Sequence, residues 1–158
     1  SRQNLAFQHR DADTLAMIRR GGYVLEEPVL KEPDAVQPQV VLIATGSEVQ
    51  LAVTAQEILA GQGIAARVVS MPCTNLFDRQ SVAYCSSVLL PGVPRVAIEA
   101  GVSDGWFKYV GDSGAVLGID RFGESAPASE LFEYFGLAVD KVVATVSDLV
   151  KAREGAGR

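Results

Sequence analysis

The residues whose types and spacing could do chemistry sit in short polar turns: Thr45-Gly46-Ser47, Met71-Pro72-Cys73-Thr74, Ala100-Gly101-Val102-Ser103 and Asp120-Arg121-Phe122-Gly123. Each follows an apolar run, the place where the carboxyl ends of strands in an open α/β sheet meet ligands. Thr45-Gly46-Ser47 is the most suggestive. An apolar strand, then this turn, then a helix start would present hydroxyls and free N–H groups to a small anion. The same residues also read as caps. Ser47 with Gln50, and Thr45 with Glu48, have the capping-box spacing that satisfies those N–H groups internally. A single glycine is also far short of a P-loop or a dinucleotide fingerprint. Capping is therefore favoured over a ligand at Thr45, Gly46 and Ser47.

The other candidates are weaker. Gly111-Asp112-Ser113-Gly114 offers one carboxylate where a hard cation wants several oxygen ligands, so it reads as a polar turn ahead of a strand. Cys73 as a nucleophile needs a base, and the only histidine, His9, is remote in sequence; a small packed residue is the better reading. Glu99 and Glu124 could pair as carboxylates, but spacing alone does not bring them together, and each could instead accept from loop N–H groups. Trp106, Phe107 and Tyr109 fit core and interface equally well. Read residue by residue, the chain has no triad, metal cluster or glycine-rich phosphate cradle.

The elements that must position these turns alternate. Val40–Ala44 is an uninterrupted apolar run, as expected of a strand covered on both faces of a parallel sheet. A helix over 48–60 follows, with Leu51, Ala55, Ile58 and Leu59 on one face. Strands are expected at 65–70, 95–99 and 115–119. Asp78 is expected to cap a helix over 78–84, and a short helix over 104–110 should end at Gly111. Pro127 suits the first turn of a helix that Gly136 closes. Asp140 is expected to cap a last helix striped with Val142, Val143, Val146, Leu149 and Val150, leaving 151–158 as a frayed polar tail. Upstream, Asp11 or Asp13 could cap a short helix carrying Leu15 and Ile18; Gly21-Gly22 stop it, and Tyr23-Val24-Leu25 reads as a short strand. Three prolines make 26–39 a loop. The expected fold is a three-layer α/β domain, helices on both faces of a mostly parallel sheet.

Composition agrees and excludes other classes. At 158 residues, 48% hydrophobic and 21% charged, the chain fits one globular domain. A net charge of −5 argues against nucleic acid or an anionic membrane as partner. Val40–Ala44 is the longest apolar stretch, far below the roughly 20 residues of a membrane helix. Cys73 and Cys85 form neither a zinc spacing nor a CxxC motif, which suggests a reduced, cytoplasmic protein. A chain starting at Ser1 rather than Met is expected to be part of something longer.

Several stretches resemble the carboxyl-terminal part of transketolase, in the order that family has them. They are Ser1-Arg2-Gln3-Asn4-Leu5, Arg20-Gly21-Gly22-Tyr23-Val24-Leu25, Ala44-Thr45-Gly46-Ser47-Glu48-Val49 and Val68-Val69-Ser70-Met71-Pro72. Glu99-Ala100-Gly101, Lys108-Tyr109-Val110-Gly111 and Phe122-Gly123-Glu124-Ser125-Ala126-Pro127-Ala128 complete the series. The resemblance covers almost the whole chain. It implies a five-stranded sheet, mostly parallel, with Tyr23-Val24-Leu25 as the one antiparallel strand. It also divides the chain into 1–21 (the end of a pyrimidine-binding domain and a linker), 22–150 (the terminal domain) and 151–158 (a tail).

Transketolases move a two-carbon ketol unit between sugar phosphates, using thiamine diphosphate and Mg2+. The family's cofactor machinery precedes this domain, and its Gly-Asp-Gly metal motif is absent from the chain. The resemblance therefore implies no catalytic residue, metal or cofactor here. It implies a structural part, packing on the preceding domains and contributing to a homodimer. Arg2 resembles the arginine that holds the sugar phosphate's phosphate, a task suited to a guanidinium fork; His9 matches none of the family's catalytic histidines. Two related enzymes, deoxyxylulose-phosphate synthase and the pyruvate dehydrogenase decarboxylase, share the terminal domain. The Ser1-Arg2-Gln3-Asn4-Leu5 and Phe122-Gly123-Glu124-Ser125-Ala126-Pro127 stretches favour transketolase over both. A rival of another class is a regulatory module binding a small anion at Thr45-Gly46-Ser47.

Overall fold

A computed structural model describes residues 10–28, 37–124 and 127–156. The described chain opens with α1 (Ala12–Ile18), capped by Asp11, whose carboxylate accepts from the Thr14 N–H at 2.8 Å. Five strands follow in one sheet: β1 (Tyr23–Glu26), β2 (Val40–Ala44), β3 (Ala66–Ser70), β4 (Arg95–Ile98) and β5 (Ala115–Leu117). Their spatial order is β1-β3-β2-β4-β5. β2 pairs in parallel with β3 (Val40 opposite Ala66) and with β4 (Ala44 opposite Ile98), and β5 is parallel to β4. β1 is the antiparallel strand, Tyr23 lying opposite Ser70.

Alternation along β2 explains the layers, since successive side chains point to opposite faces. Val40, Leu42 and Ala44 pack with Ala52, Ala55 and Leu59 of α2 (Val49–Gly61) and with Val142, Val146 and Val150 of a long final helix. Val41 and Ile43 pack on the other face against α3 (Thr74–Phe77), α4 (Val82–Leu89) and α5 (Phe107–Val110), through Phe77, Val88, Tyr109 and Val110. A fully buried Val, Leu or Ile contributes about 1.5–3 kcal/mol. β2 is buried along its whole length and anchors both cores. The described residues end with α6 (Ala128–Tyr134), preceded by Pro127, and α7 (Val139–Ala156).

Local details differ from the sequence expectations for identifiable reasons. A single 3-10 turn, Gly46–Glu48, precedes α2, and the buried face is Ala52, Ala55, Gln56 and Leu59, leaving Ile58 40% exposed. Gln56 turns inward because its amide donates to the carbonyls of Ala66 at 2.8 Å and Glu27 at 3.0 Å, which removes the penalty of burying it. Asp78 does not cap a helix. Ser81 caps α4 by accepting from the Tyr84 N–H at 3.2 Å, while the Asp78 carboxylate is taken by Lys108 Nζ at 2.6 Å and the Tyr109 hydroxyl at 2.8 Å. Asp140 lies inside the first turn of α7 rather than at its cap. α7 also continues through Ala156, its last turn carrying Arg153 at the end where the helix dipole favours a cation. β5 stops at Leu117, and two residues later the Ile119 N–H donates to the Gly101 carbonyl at 2.7 Å, tying the chain to the loop after β4. No helix among the described residues is long and apolar enough to cross a membrane.

Candidate functional site

β2 and β4 are neighbours, yet β2 leads into α2 on one face and β4 leads towards α5 on the other. Adjacent strands whose connections diverge open a crevice beyond their carboxyl ends. A cavity of about 670 Å³ lies there, within the usual range of small-molecule sites. Thr45 reaches it from the end of β2, Met71 and Cys73 from the end of β3, and Glu99, Trp106 and Lys108 from the segment after β4. The wall after β4 is held in shape by Asp120, which accepts from the Ser103 N–H at 2.8 Å and the Ser103 hydroxyl at 2.7 Å. The Ser103 N–H bond, then the hydroxyl, holds the Asp120 carboxyl below its ordinary value.

The charged residues that line the cavity are Glu99, Asp104 and Lys108, and a buried glutamate outside the lining, Glu48, acts on Glu99. Glu48 is only 5% exposed, and its Oε1 accepts from the Ser47 hydroxyl at 2.8 Å. Glu99 Oε2 is fully buried with no hydrogen-bond partner among the described residues. Burial pushes the Glu99 carboxyl above the usual range, and the charge of Glu48 pushes it further. The carboxylate bearing on Glu99 is thus Glu48, and Glu124, the partner considered from sequence, is exposed.

This arrangement corrects the expected caps. Neither Thr45 nor Glu48 makes a side-chain capping bond, and Ser47 spends its hydroxyl on Glu48 instead. Of the turn residues, Thr45 lines the cavity, Gly46 is exposed and Ser47 is half-buried. A helix N-terminus offers an anion about half a positive charge, whereas Glu48 beside it carries a carboxylate.

The remaining candidates divide. Cys73 lines the cavity half-buried, Cys85 is half-buried in the second core, and both are free thiols. Burial pushes the Cys85 thiol up. Trp106 and Tyr109 are core residues, while Phe107 is 54% exposed. Gly111 to Gly114 form the polar turn joining α5 to β5. Among the described residues no group of His, Cys, Asp and Glu is arranged to hold a metal ion. Arg2 and His9 lie outside the described residues. From sequence Glu48 read only as the capping-box partner of Thr45, and nothing in its spacing marked it as a neighbour of Glu99.

Comparison with known proteins places this geometry. The family model of the transketolase-like TK C-terminal domain matches residues 21–138. Transketolase 1 of Escherichia coli K12 is 56% identical over 151 residues, covering 95% of this chain and 22% of that protein. The structure of transketolase from Leishmania mexicana superposes with a TM-score of 0.76 at 44% identity, over 88% of this chain and 19% of that one. A split-gene transketolase, solved as an inactive β4 tetramer, matches with a TM-score of 0.63 at 26% identity, over 84% of this chain and 43% of that one. The chain thus spans about a fifth of the length of the curated relatives it matches. With its five-stranded mixed sheet and its matched residues in agreement, the chain belongs to the transketolase C-terminal domain family.

Proposed function

We propose that this chain is the structural terminal domain of a transketolase and transfers no ketol group by itself. The observation that carries the reading is coverage: 95% of the chain matches only 22% of the Escherichia coli enzyme. In the parent, the domains that precede this one hold thiamine diphosphate and Mg2+ and bind the sugar phosphates. The division at 1–21 and 22–150 is the seam between them, and Arg2 supplies a phosphate contact from the linker side. The domain's part is packing on those partners and supporting the homodimer in the cytoplasm. Val82, Phe107 and Phe122, apolar yet exposed, are the side chains we assign to that packing.

The cavity's donor set supports the reading. Thiamine diphosphate with its Mg2+ does not fit the carboxyl-end cavity. The cavity's lining sets two carboxylates, Glu99 and Asp104, against one cation, Lys108, whose Nζ already pairs with Asp78, and the described residues assemble no ligand set for the divalent cation. The same carboxylates oppose the rival reading of a small anion at Thr45-Gly46-Ser47. The inactive state reported for the split-gene β4 tetramer is in keeping with a transketolase piece that lacks activity alone.

The test is a ketol-transfer assay on the purified 158-residue chain with thiamine diphosphate, Mg2+, a ketose-phosphate donor and an aldose-phosphate acceptor. No product above the enzyme-free control is expected. Measurable turnover overturns the proposal.

A further inference from the structure

Burial changes abruptly where α1 meets the sheet. α1 holds no buried residue, and Arg19 and Arg20 after it are exposed, whereas Gly21, Gly22 and Tyr23 are buried. Gly21, at φ +86°, ends the helix in the left-handed conformation, its N–H donating to the Ile18 carbonyl at 3.0 Å. Adjacent glycines at the end of an element would ordinarily make a hinge, since small residues there absorb large φ and ψ changes.

These glycines are enclosed instead. A Cβ on Gly21 would fall on the Cys73 carbonyl oxygen and 2.5 Å from the Phe77 nitrogen. One on Gly22 would lie 2.5 Å from Met71 Sδ and 2.7 Å from the Phe77 ring. Both carbonyls are taken as well. The Cys73 N–H donates to the Gly21 carbonyl at 2.9 Å, and the Tyr84 hydroxyl donates to that of Gly22 at 2.8 Å. The Arg20 guanidinium lies 4.6 Å from the centre of the Tyr84 ring, within cation–π range. From Tyr23, opposite Ser70, the sheet takes over. The turn after β3, α3 and α4 thus grip the chain from Arg20 to Tyr23.

We propose that Arg20–Tyr23 is a strap, not a hinge, and that it locks the direction in which α1 leaves the domain. With no buried residue of its own, α1 takes its direction from these contacts. What the strap does in a longer protein rests on the terminal-domain reading: there it fixes the angle at which the preceding domain joins this one.

The test is measurement of backbone amide residual dipolar couplings in the 158-residue chain, which sense reorientation up to the millisecond. The α1 couplings are expected to fit the alignment of the sheet at full magnitude, with order parameters at Gly21 and Gly22 near the rigid value of about 0.85. Tyr84→Phe keeps the ring and removes the bond to Gly22, and Arg20→Gln, on the surface, removes the cation. Together they should raise the unstrapped fraction roughly 5- to 50-fold, read as faster hydrogen exchange of the Cys73 amide. Full-magnitude β2 couplings in that variant show the fold intact. α1 couplings averaged towards zero in the unsubstituted chain would make the glycines a hinge and overturn the proposal. Cys73 exchange unchanged in the double variant would overturn it too. Either failure, with no ketol transfer detected, would leave the terminal-domain reading standing.

Discussion

At its carboxyl end β4 runs from Ile98 into Glu99, whose Oε2 is buried without a hydrogen-bond partner among the described residues; at its amino end it begins with Arg95, whose Nε is buried without one among them either. Each orphaned group belongs to a residue that lines a cavity, of about 670 Å³ beside Glu99 and about 510 Å³ beside Arg95. The two ends differ in the company each charge keeps. Burial, and then the charge of a second carboxylate, Glu48, hold the Glu99 proton more tightly. Arg95 shares its cavity with a second cation, Arg153, and with one acid, Asp112. Helix starts lie at the carboxyl ends of parallel strands and ordinarily favour anions there. Here the cavity is lined by two carboxylates, Glu99 and Asp104, and by Lys108, whose Nζ is already paired with Asp78.

Glycines pin the two ends by close approach, and replacing them gives the largest expected effects. Gly21 has φ +86°, and a Cβ on it would fall on the Cys73 carbonyl oxygen and 2.5 Å from the Phe77 nitrogen. Gly21→Ala therefore adds left-handed strain to a backbone clash beside the carboxyl-end cavity. It should cost more than about 3 kcal/mol in urea unfolding. A Cβ on Gly114, at the amino end, would meet the Arg95 carbonyl oxygen and, at 2.6 Å, that of Val110. No positive φ adds to that clash, so Gly114→Ala should cost about 1–3 kcal/mol. Equal losses at the two positions would break the comparison.

The smallest effect has the opposite sign. The Glu99 carboxyl binds its proton more tightly in the folded chain than in the unfolded one, where 4.5 is the ordinary value. Its contribution to stability is complete below that value and is lost as pH rises through the raised one. Glu99→Gln should flatten this decline and stabilise the domain at neutral pH by roughly 0.5–1 kcal/mol, after allowance for partial solvent screening. Unfolding midpoints measured across pH read this directly. A variant as pH-dependent as the parent would remove Glu99 from the carboxyl-end electrostatics.

The fold was legible in the sequence wherever one pattern dominated. Val40–Ala44 could only be a doubly covered strand, and it is buried throughout. Tyr23-Val24-Leu25 was identified as the odd strand from its place in the family pattern, and β1 is antiparallel. Errors arose where a short polar side chain had competing partners. Asp78 and Ser81 both have cap chemistry, and Lys108 and Tyr109, distant in sequence, claimed Asp78. Thr45 and Ser47 have capping-box spacing, but the 3-10 turn buries Glu48, and Ser47 follows it. Arg95 gave no signal, because a lone arginine opening an apolar strand looks like any solvated strand end. Only in the folded chain is its Nε buried without a partner among the described residues.

The separation of this domain from the family's coenzyme chemistry is tested most directly by calorimetric titration of the chain with thiamine diphosphate, with and without Mg2+. The expected result is no heat that depends on the cation. Saturable binding at one equivalent that appears only with Mg2+ would contradict it.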